Sequence, residues 1–285
     1  MVRSPGCGRL AATRGARARL MPATDPVALR SERAMAFFNV AFTHSFAGHF
    51  SALRVPHWGL PDYPTDRPLV VLANHPSWWD GAMFMLLLRR FFIERQAFMP
   101  MDADALRKYG FMRRLGVFGI ERDSPRGAVR FLDTARQVLA NPRHMLWMNT
   151  PGRFADVRER PVPLAPGVMR LPEIAPTALF IPLAFEYTHW TEKRGEALAA
   201  FGPALDGEAL LALDRPRRAE ALRDALAATM DRLAVDAISR DPDRFLTAIE
   251  GGRGMGGLYG TWQYVKALAR GQRPQPDHAA KTPTG

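Results

Sequence analysis

Two side chains five residues apart raise the first chemical question. In the run Asn74-His75-Pro76-Ser77-Trp78-Trp79-Asp80 an imidazole is followed by a carboxylate at a distance that a short turn can close. If the two converge, the carboxylate accepts the proton of one ring nitrogen and the other nitrogen is held as a base for an incoming hydroxyl. Such a pair is two-thirds of a hydrolytic triad without a serine of its own, so the attacking hydroxyl would have to come from a substrate. Spacing alone does not single it out, because His57-Trp58-Gly59-Leu60-Pro61-Asp62 repeats it. His57 sits in a proline-rich connection with no strand before it and no helix after it, which assigns that copy to chance. For His75 the competing reading is architectural: Asp80 satisfying backbone donors at a helix start, and His75 merely hydrogen-bonded.

Holding such a pair together takes a strand that ends at the histidine and a helix that begins at the aspartate. Leu69-Val70-Val71-Leu72-Ala73 reads as that strand, since a short apolar, β-branched run bounded by breakers fits an interior sheet position. Asp80 to Phe92 reads as the helix, with Met83, Leu86, Leu87 and Phe91 apolar and Arg89 and Arg90 near its C-terminus, where cations suit the helix dipole. Short strands are expected around Ala97 to Pro100 and Gly116 to Ile120. A helix follows from Ser124 to Leu139, with Pro125 at its first position and Asn141-Pro142 as its stop. His144 to Asn149 and Ala178 to Tyr187 read as further strands, and Asp206 to Ser239 as one or two amphipathic helices. Alternating strands and helices predict an α/β fold: a mixed, largely parallel sheet flanked by helices, with an N-terminal amphipathic helix and C-terminal helices. His75 then stands at the C-terminal mouth of the sheet, where open α/β sheets present their ligand-binding loops.

The chain divides into a disordered basic arm (residues 1–26), an amphipathic, membrane-surface helix (27–56), a catalytic domain (57–250) and a tail (251–285) holding a Gly-rich hinge, a short basic amphipathic helix and a disordered end. The formal charge is +11, and Arg3, Arg9, Arg14, Arg17, Arg19, Arg30 and Arg33 stand against only Asp25 and Glu32 at the N-terminus. No run interleaves basic and aromatic residues as a nucleic-acid surface would, so nucleic acid is not an expected partner. Cys7 is the one cysteine, which excludes an intrachain disulfide and a cysteine metal site. His44 and His49 do not share a helix face, so no metal is expected. Residues 34–53 lack formal charge, but Asn39, Thr43, His44, Ser45, His49 and Ser51 interrupt them. Met35, Phe38, Phe42, Phe46, Phe50 and Leu53 recur at helical steps, which predicts an amphipathic helix rather than a span. Its stripe either packs on the protein's own core or lies in a membrane interface.

Beyond His75 and Asp80, three further segments agree in order. Asn74-His75 followed by four residues and Asp80 resembles the first motif of the glycerolipid, or lysophosphatidic-acid-type, acyltransferase family. Gly116-Val117-Phe118-Gly119-Ile120-Glu121-Arg122 resembles its second motif, Asn149-Thr150-Pro151-Gly152-Arg153-Phe154 its third and Phe180-Ile181-Pro182-Leu183 its fourth. The resemblance covers residues 68–205. It implies that His75 is the base and Asp80 its orienter, with Asn74 on the substrate side. Arg122 would hold an anionic group of the acceptor, in keeping with the bidentate geometry of guanidinium; its plainer reading is a salt bridge at a strand end with Glu121 or Asp123. Gly152 would allow a tight turn beside substrate and Arg153 would add positive potential.

The implied donor is acyl-CoA or acyl-carrier protein, a thioester that requires neither cofactor nor metal. The implied acceptor is a lysolipid or another lipid alcohol, and the expected seat is the cytoplasmic face of a membrane, held peripherally. Pro151 replaces the acidic or amide residue usual in the third motif, which removes one acceptor contact and puts glycerol phosphate in question. Three readings stay open: an O-acyltransferase, a catalytically idle relative that binds lipid or a partner, and a thioester hydrolase in which water replaces the acceptor.

Overall fold

The computed structural model describes residues 25–122, 124–190 and 192–252. In chain order the elements are α1 (Pro26–Leu29), α2 (Glu32–His49), β1 (Phe50–Pro56), β2 (Leu69–Ala73), α3 (Asp80–Phe91), β3 (Gln96–Asp102), α4 (Ala103–Lys108), β4 (Val117–Ile120), α5 (Pro125–Leu139) and β5 (His144–Asn149). They continue with α6 (Leu171–Ile174), β6 (Leu179–Thr188), β7 (Gly195–Phe201), β8 (Leu205–Asp206), α7 (Gly207–Ala212), α8 (Arg215–Ser239) and β9 (Phe245–Glu250). The strands form one nine-stranded mixed sheet, ordered β4-β3-β5-β2-β6-β7-β1-β9, with β8 paired to β6. From β4 to β6 every neighbour is parallel, so these strands all end on one rim.

Strand β2 occupies the interior position that its apolar run predicts, with β5 on one side and β6 on the other and all five residues buried. Its residues alternate between two cores, as the two-residue period of a strand requires. Leu69, Val71 and Ala73 pack with α2 and α3, whereas Val70 and Leu72 pack with α5 and with Leu210 and Leu222 from the C-terminal helices. Helix α5 begins as its sequence predicts: Ser124 Oγ accepts from the Gly127 amide at 3.2 Å, and Pro125 stands in the first turn, where its missing N–H costs nothing.

The N-terminal helix differs from its expected length. It stops at His49, and Phe50 to Pro56 enter the sheet as β1, parallel to β7 and antiparallel to β9. Phe50 and Leu53 continue the helical stripe in sequence, but both edges of that segment find backbone partners in the sheet, and the two side chains are buried there as well. The stripe Met35, Phe38, Phe42, Phe46 packs on the protein's own core, while Phe37 and Val40 face outward. No helix among the described residues is long and apolar enough to cross a membrane.

At the other end, β9 returns to the sheet after α8. Gly251 and Gly252 donate to Ser51 and Phe50 carbonyls at 2.9 and 3.1 Å, so they extend the β9 ladder rather than form a hinge. A Cβ at Gly251 would lie 2.0 Å from the Phe50 carbonyl oxygen, which requires glycine there. The basic arm before Asp25, the rest of the Gly-rich stretch and the expected C-terminal helix fall outside the described residues.

Candidate active site

The rim position of β2 decides where His75 goes. Asn74 follows the last strand residue and spends its side chain on architecture: its amide donates to the Phe185 carbonyl at 2.9 Å and its oxygen accepts from the Phe185 amide at 2.7 Å. The residue expected on the substrate side therefore locks the ends of β2 and β6 together, and it is buried. His75 is delivered just beyond this clamp. Its carbonyl accepts from the Ala155 amide at 2.9 Å, which fixes its backbone to the loop after β5. Thr150 anchors the same loop two residues earlier along β2, with its amide and its hydroxyl both donating to the Ala73 carbonyl at 2.8 and 2.9 Å.

A tight turn then brings Asp80 back. Ser77 Oγ accepts from the Trp79 amide at 3.1 Å, and the Asp80 amide donates to the Ser77 carbonyl at 3.3 Å, so α3 begins at Asp80. Asp80 Oδ2 stands 2.6 Å from His75 Nδ1 and also accepts from the Ser77 amide at 3.2 Å. This aspartate therefore takes up a backbone donor of the turn and also holds the imidazole ring by a hydrogen bond. A carboxylate only accepts, so the ring proton belongs on Nδ1 and Nε2 carries the lone pair. Nε2 has no partner among the described residues, and the ring is partly open to solvent while Asp80 is fully buried.

Two aromatic residues that the motif spacing does not reveal complete the arrangement. Tyr187, near the end of β6, donates its hydroxyl to Asp80 Oδ1 at 2.6 Å. Burial, and then the charge and hydrogen bond of Asp80, raise its phenol far above the ordinary range, so it stays protonated and donates. Phe154 lays its ring against His75, with centroids 4.4 Å apart. Strand alternation could have flagged Tyr187, since Leu183 and Phe185 of the same strand already face the α3 side. Phe154 closes the third motif, but its orientation depends on a loop no period describes.

The expected anion holders are less free. Arg122 follows β4 and is half exposed, with Nε 3.7 Å from Asp102 Oδ2. Among the described residues the nearest acid is thus Asp102 and not the expected Glu121, which pairs with Arg130 at 2.9 Å. Three strand spacings, roughly 14 Å, separate the end of β4 from that of β2. Arg153 pairs with Glu159 and also donates to the Phe154 carbonyl at 3.1 Å. Gly152 does adopt a left-handed conformation, with φ of 65°, at the turn that sends this loop toward His75. The second His and Asp copy does not assemble: His57 Nε2 donates to the Asp243 carbonyl at 3.2 Å. Among the described residues no three His, Cys, Asp or Glu side chains gather as a metal site would need.

Compared with known families, residues 54–186 match the model described as Acyltransferase. That span runs from β1 to the end of β6 and contains His75, Asp80, Arg122, Gly152 and Arg153. It supports a transferase that moves acyl groups. No curated protein sequence matches the chain.

Proposed function

We propose that the protein is an O-acyltransferase that moves a fatty acyl group from acyl-CoA or acyl-carrier protein to a hydroxyl of a lysophospholipid or related lipid alcohol. His75 acts as general base and Asp80 orients it. The observation that carries this reading is the 2.6 Å contact between His75 Nδ1 and Asp80 Oδ2, beneath a ring whose other nitrogen is unengaged.

In the first step Nε2 removes the acceptor's hydroxyl proton as the oxygen attacks the thioester carbonyl, and the buried carboxylate stabilises the imidazolium that forms. In the second the tetrahedral intermediate collapses, the carbon–sulfur bond breaks, and the imidazolium returns its proton to the departing thiolate. An ester and a free thiol result, and the enzyme is restored. Phe154 covers one face of the imidazole and helps hold the ring in place. Arg122, Gly152 and Arg153 shape the substrate rim in this reading, on the strength of the motif positions they occupy in the matched segment. The outward Phe37 and Val40 of α2 support a seat on a membrane surface, and the cytoplasmic face is part of the proposal.

The test is acyl transfer itself: purified full-length protein with labelled acyl-CoA and a panel of lysolipids and lipid alcohols. Labelled ester should form with wild type and fall at least a thousandfold, roughly the scale of losing a catalytic base, with His75→Ala. Equal ester formation by both proteins would overturn the assignment. Free fatty acid released equally with and without acceptor would assign a hydrolase instead.

A further inference from the structure

A cleft of about 830 Å³ opens beside the His75 loop, bounded by Pro76 and Ser77, the loop 156–160, the end of β6 and Met230, Leu233 and Ile238 of α8. Glu186 reaches it from β6. The β2–β6 register pairs Ala73 with Leu183, so, continued past the strand end, it brings His75 level with Phe185 and Glu186 level with Pro76, one residue further on. The base and the acid therefore start from neighbouring points on one rim. Successive strand residues face opposite sides, so the Tyr187 hydroxyl turns to Asp80 while Glu186 turns toward α8; both residues line the cleft.

The charges around the cleft are nearly all matched. Arg158 meets both oxygens of Asp156 at 2.8 Å, and Arg160 pairs with Asp231. Arg153, in the loop just before, is taken by Glu159. Glu186 alone has no hydrogen bond or ion pair among the described residues, though it is half-buried, and burial raises its pKa. Among the described residues, a phosphate monoester placed here would meet an unmatched acid and no unmatched cation. A hydroxyl would find a partner, and Met230, Leu233 and Ile238 offer apolar surface for an attached chain.

We infer that this cleft seats the acyl acceptor and that Glu186 selects an uncharged polyol head, of the monoacylglycerol class, over a phosphate monoester. The inference rests on the acyl-transfer reading and narrows its acceptor.

The minimal pair is a monoacylglycerol and the lysophosphatidate of the same chain, which differ only by the phosphate. With full-length wild type, kcat/KM should favour the monoacylglycerol by about tenfold or more. Glu186→Gln keeps the hydrogen bond and removes the charge, so it should raise the phosphate acceptor's kcat/KM by about tenfold and leave the monoacylglycerol within about threefold. Glu186→Ala should lower the monoacylglycerol's kcat/KM by about five- to tenfold. Wild type preferring lysophosphatidate, or a ratio unmoved by Glu186→Gln, overturns the inference while leaving acyl transfer intact. The same ratio measured as equilibrium binding, with no thioester present, decides the matter independently of turnover. If neither acceptor is esterified and neither binds, both readings fall together; binding with the expected ratio but without esterification removes the transferase and the acceptor role, and leaves Glu186 as the selector of a bound polyol lipid.

Discussion

Replacing Asp80 by asparagine keeps the side chain's shape and removes its charge, and the hydrogen bonds around it set the size of the loss. Three donors converge on the carboxylate: His75 Nδ1 at 2.6 Å and the Ser77 amide at 3.2 Å on Oδ2, and the Tyr187 hydroxyl at 2.6 Å on Oδ1. With its oxygen toward His75 and Ser77, an asparagine would place its NH2 group against Tyr187, whose hydroxyl can rotate and accept. Turned the other way, the NH2 group would confront the Ser77 N–H, at a cost of about 1–3 kcal/mol for a stranded donor. The first orientation therefore prevails, and it keeps the proton on Nδ1 and the base on Nε2. The negative charge beneath the imidazolium of the transition state is lost, at a cost of about 2–3 kcal/mol, or roughly 30- to 150-fold in kcat. An inverted tautomer would cost on the order of 10⁴-fold. Initial rates of thiol release from an acyl-CoA at saturating alcohol, with circular dichroism to verify folding, separate the two. A fall near 10⁴ would refute the orientation inferred for the amide, and an unchanged rate would remove Asp80 from the chemistry.

Tyr187→Phe removes the donor to Asp80 Oδ1 without changing the ring, so kcat should fall about five- to tenfold with both KM values within about twofold. A rise in KM with kcat intact would make Tyr187 a packing residue only. Arg218 is buried and donates to the carbonyls of Met169, Leu210, Leu211 and Leu213 and to Glu173. Arg218→Met should cost about 3–5 kcal/mol, read as a lower denaturation midpoint; an unchanged midpoint would refute its role in holding α8 to α6 and α7. The hydrogen bond from Arg215 foremost, then those from Arg218 and Arg170, hold the Glu173 carboxyl down at about 2 from 4.5 despite some burial. Its stabilisation, about 1–2 kcal/mol after solvent screening, is present above pH 4.5 and lost as pH falls toward 2. The stability gap between wild type and Glu173→Gln should therefore close across that window, and a gap constant with pH would contradict the pairing.

Where local pattern and tertiary demand agree, the sequence announces the element. Leu69 to Ala73 is a five-residue apolar run and lies between two parallel neighbours; Ser124 and Pro125 cap α5 as their chemistry dictates. Gly195-Glu196-Ala197-Leu198-Ala199-Ala200-Phe201 carries little strand propensity, yet it becomes β7 because β6 and β1 supply partners on both edges. The same pairing takes Phe50 out of the helix. At the site, His75 and Asp80 are legible because turn spacing and motif order are local. Strand alternation can put Tyr187 on the α3 side, but its bond to Asp80, 107 residues away, and the place of Glu186 follow only from the sheet's register. The architectural role of Asn74 is hidden for the same reason: its partner is the Phe185 backbone of a strand far along the chain.

The central claim is an imidazole that donates from Nδ1 to Asp80 and keeps Nε2 for the acceptor's hydroxyl. Nitrogen-15 spectra of histidine-labelled protein, with His75 assigned by comparison with His75→Gln, read that tautomer directly. The expected result is a protonated, slowly exchanging Nδ1 and an unprotonated Nε2 that gains a hydrogen bond when an alcohol acceptor is added. A proton on Nε2, or a ring exchanging freely between tautomers, would contradict it.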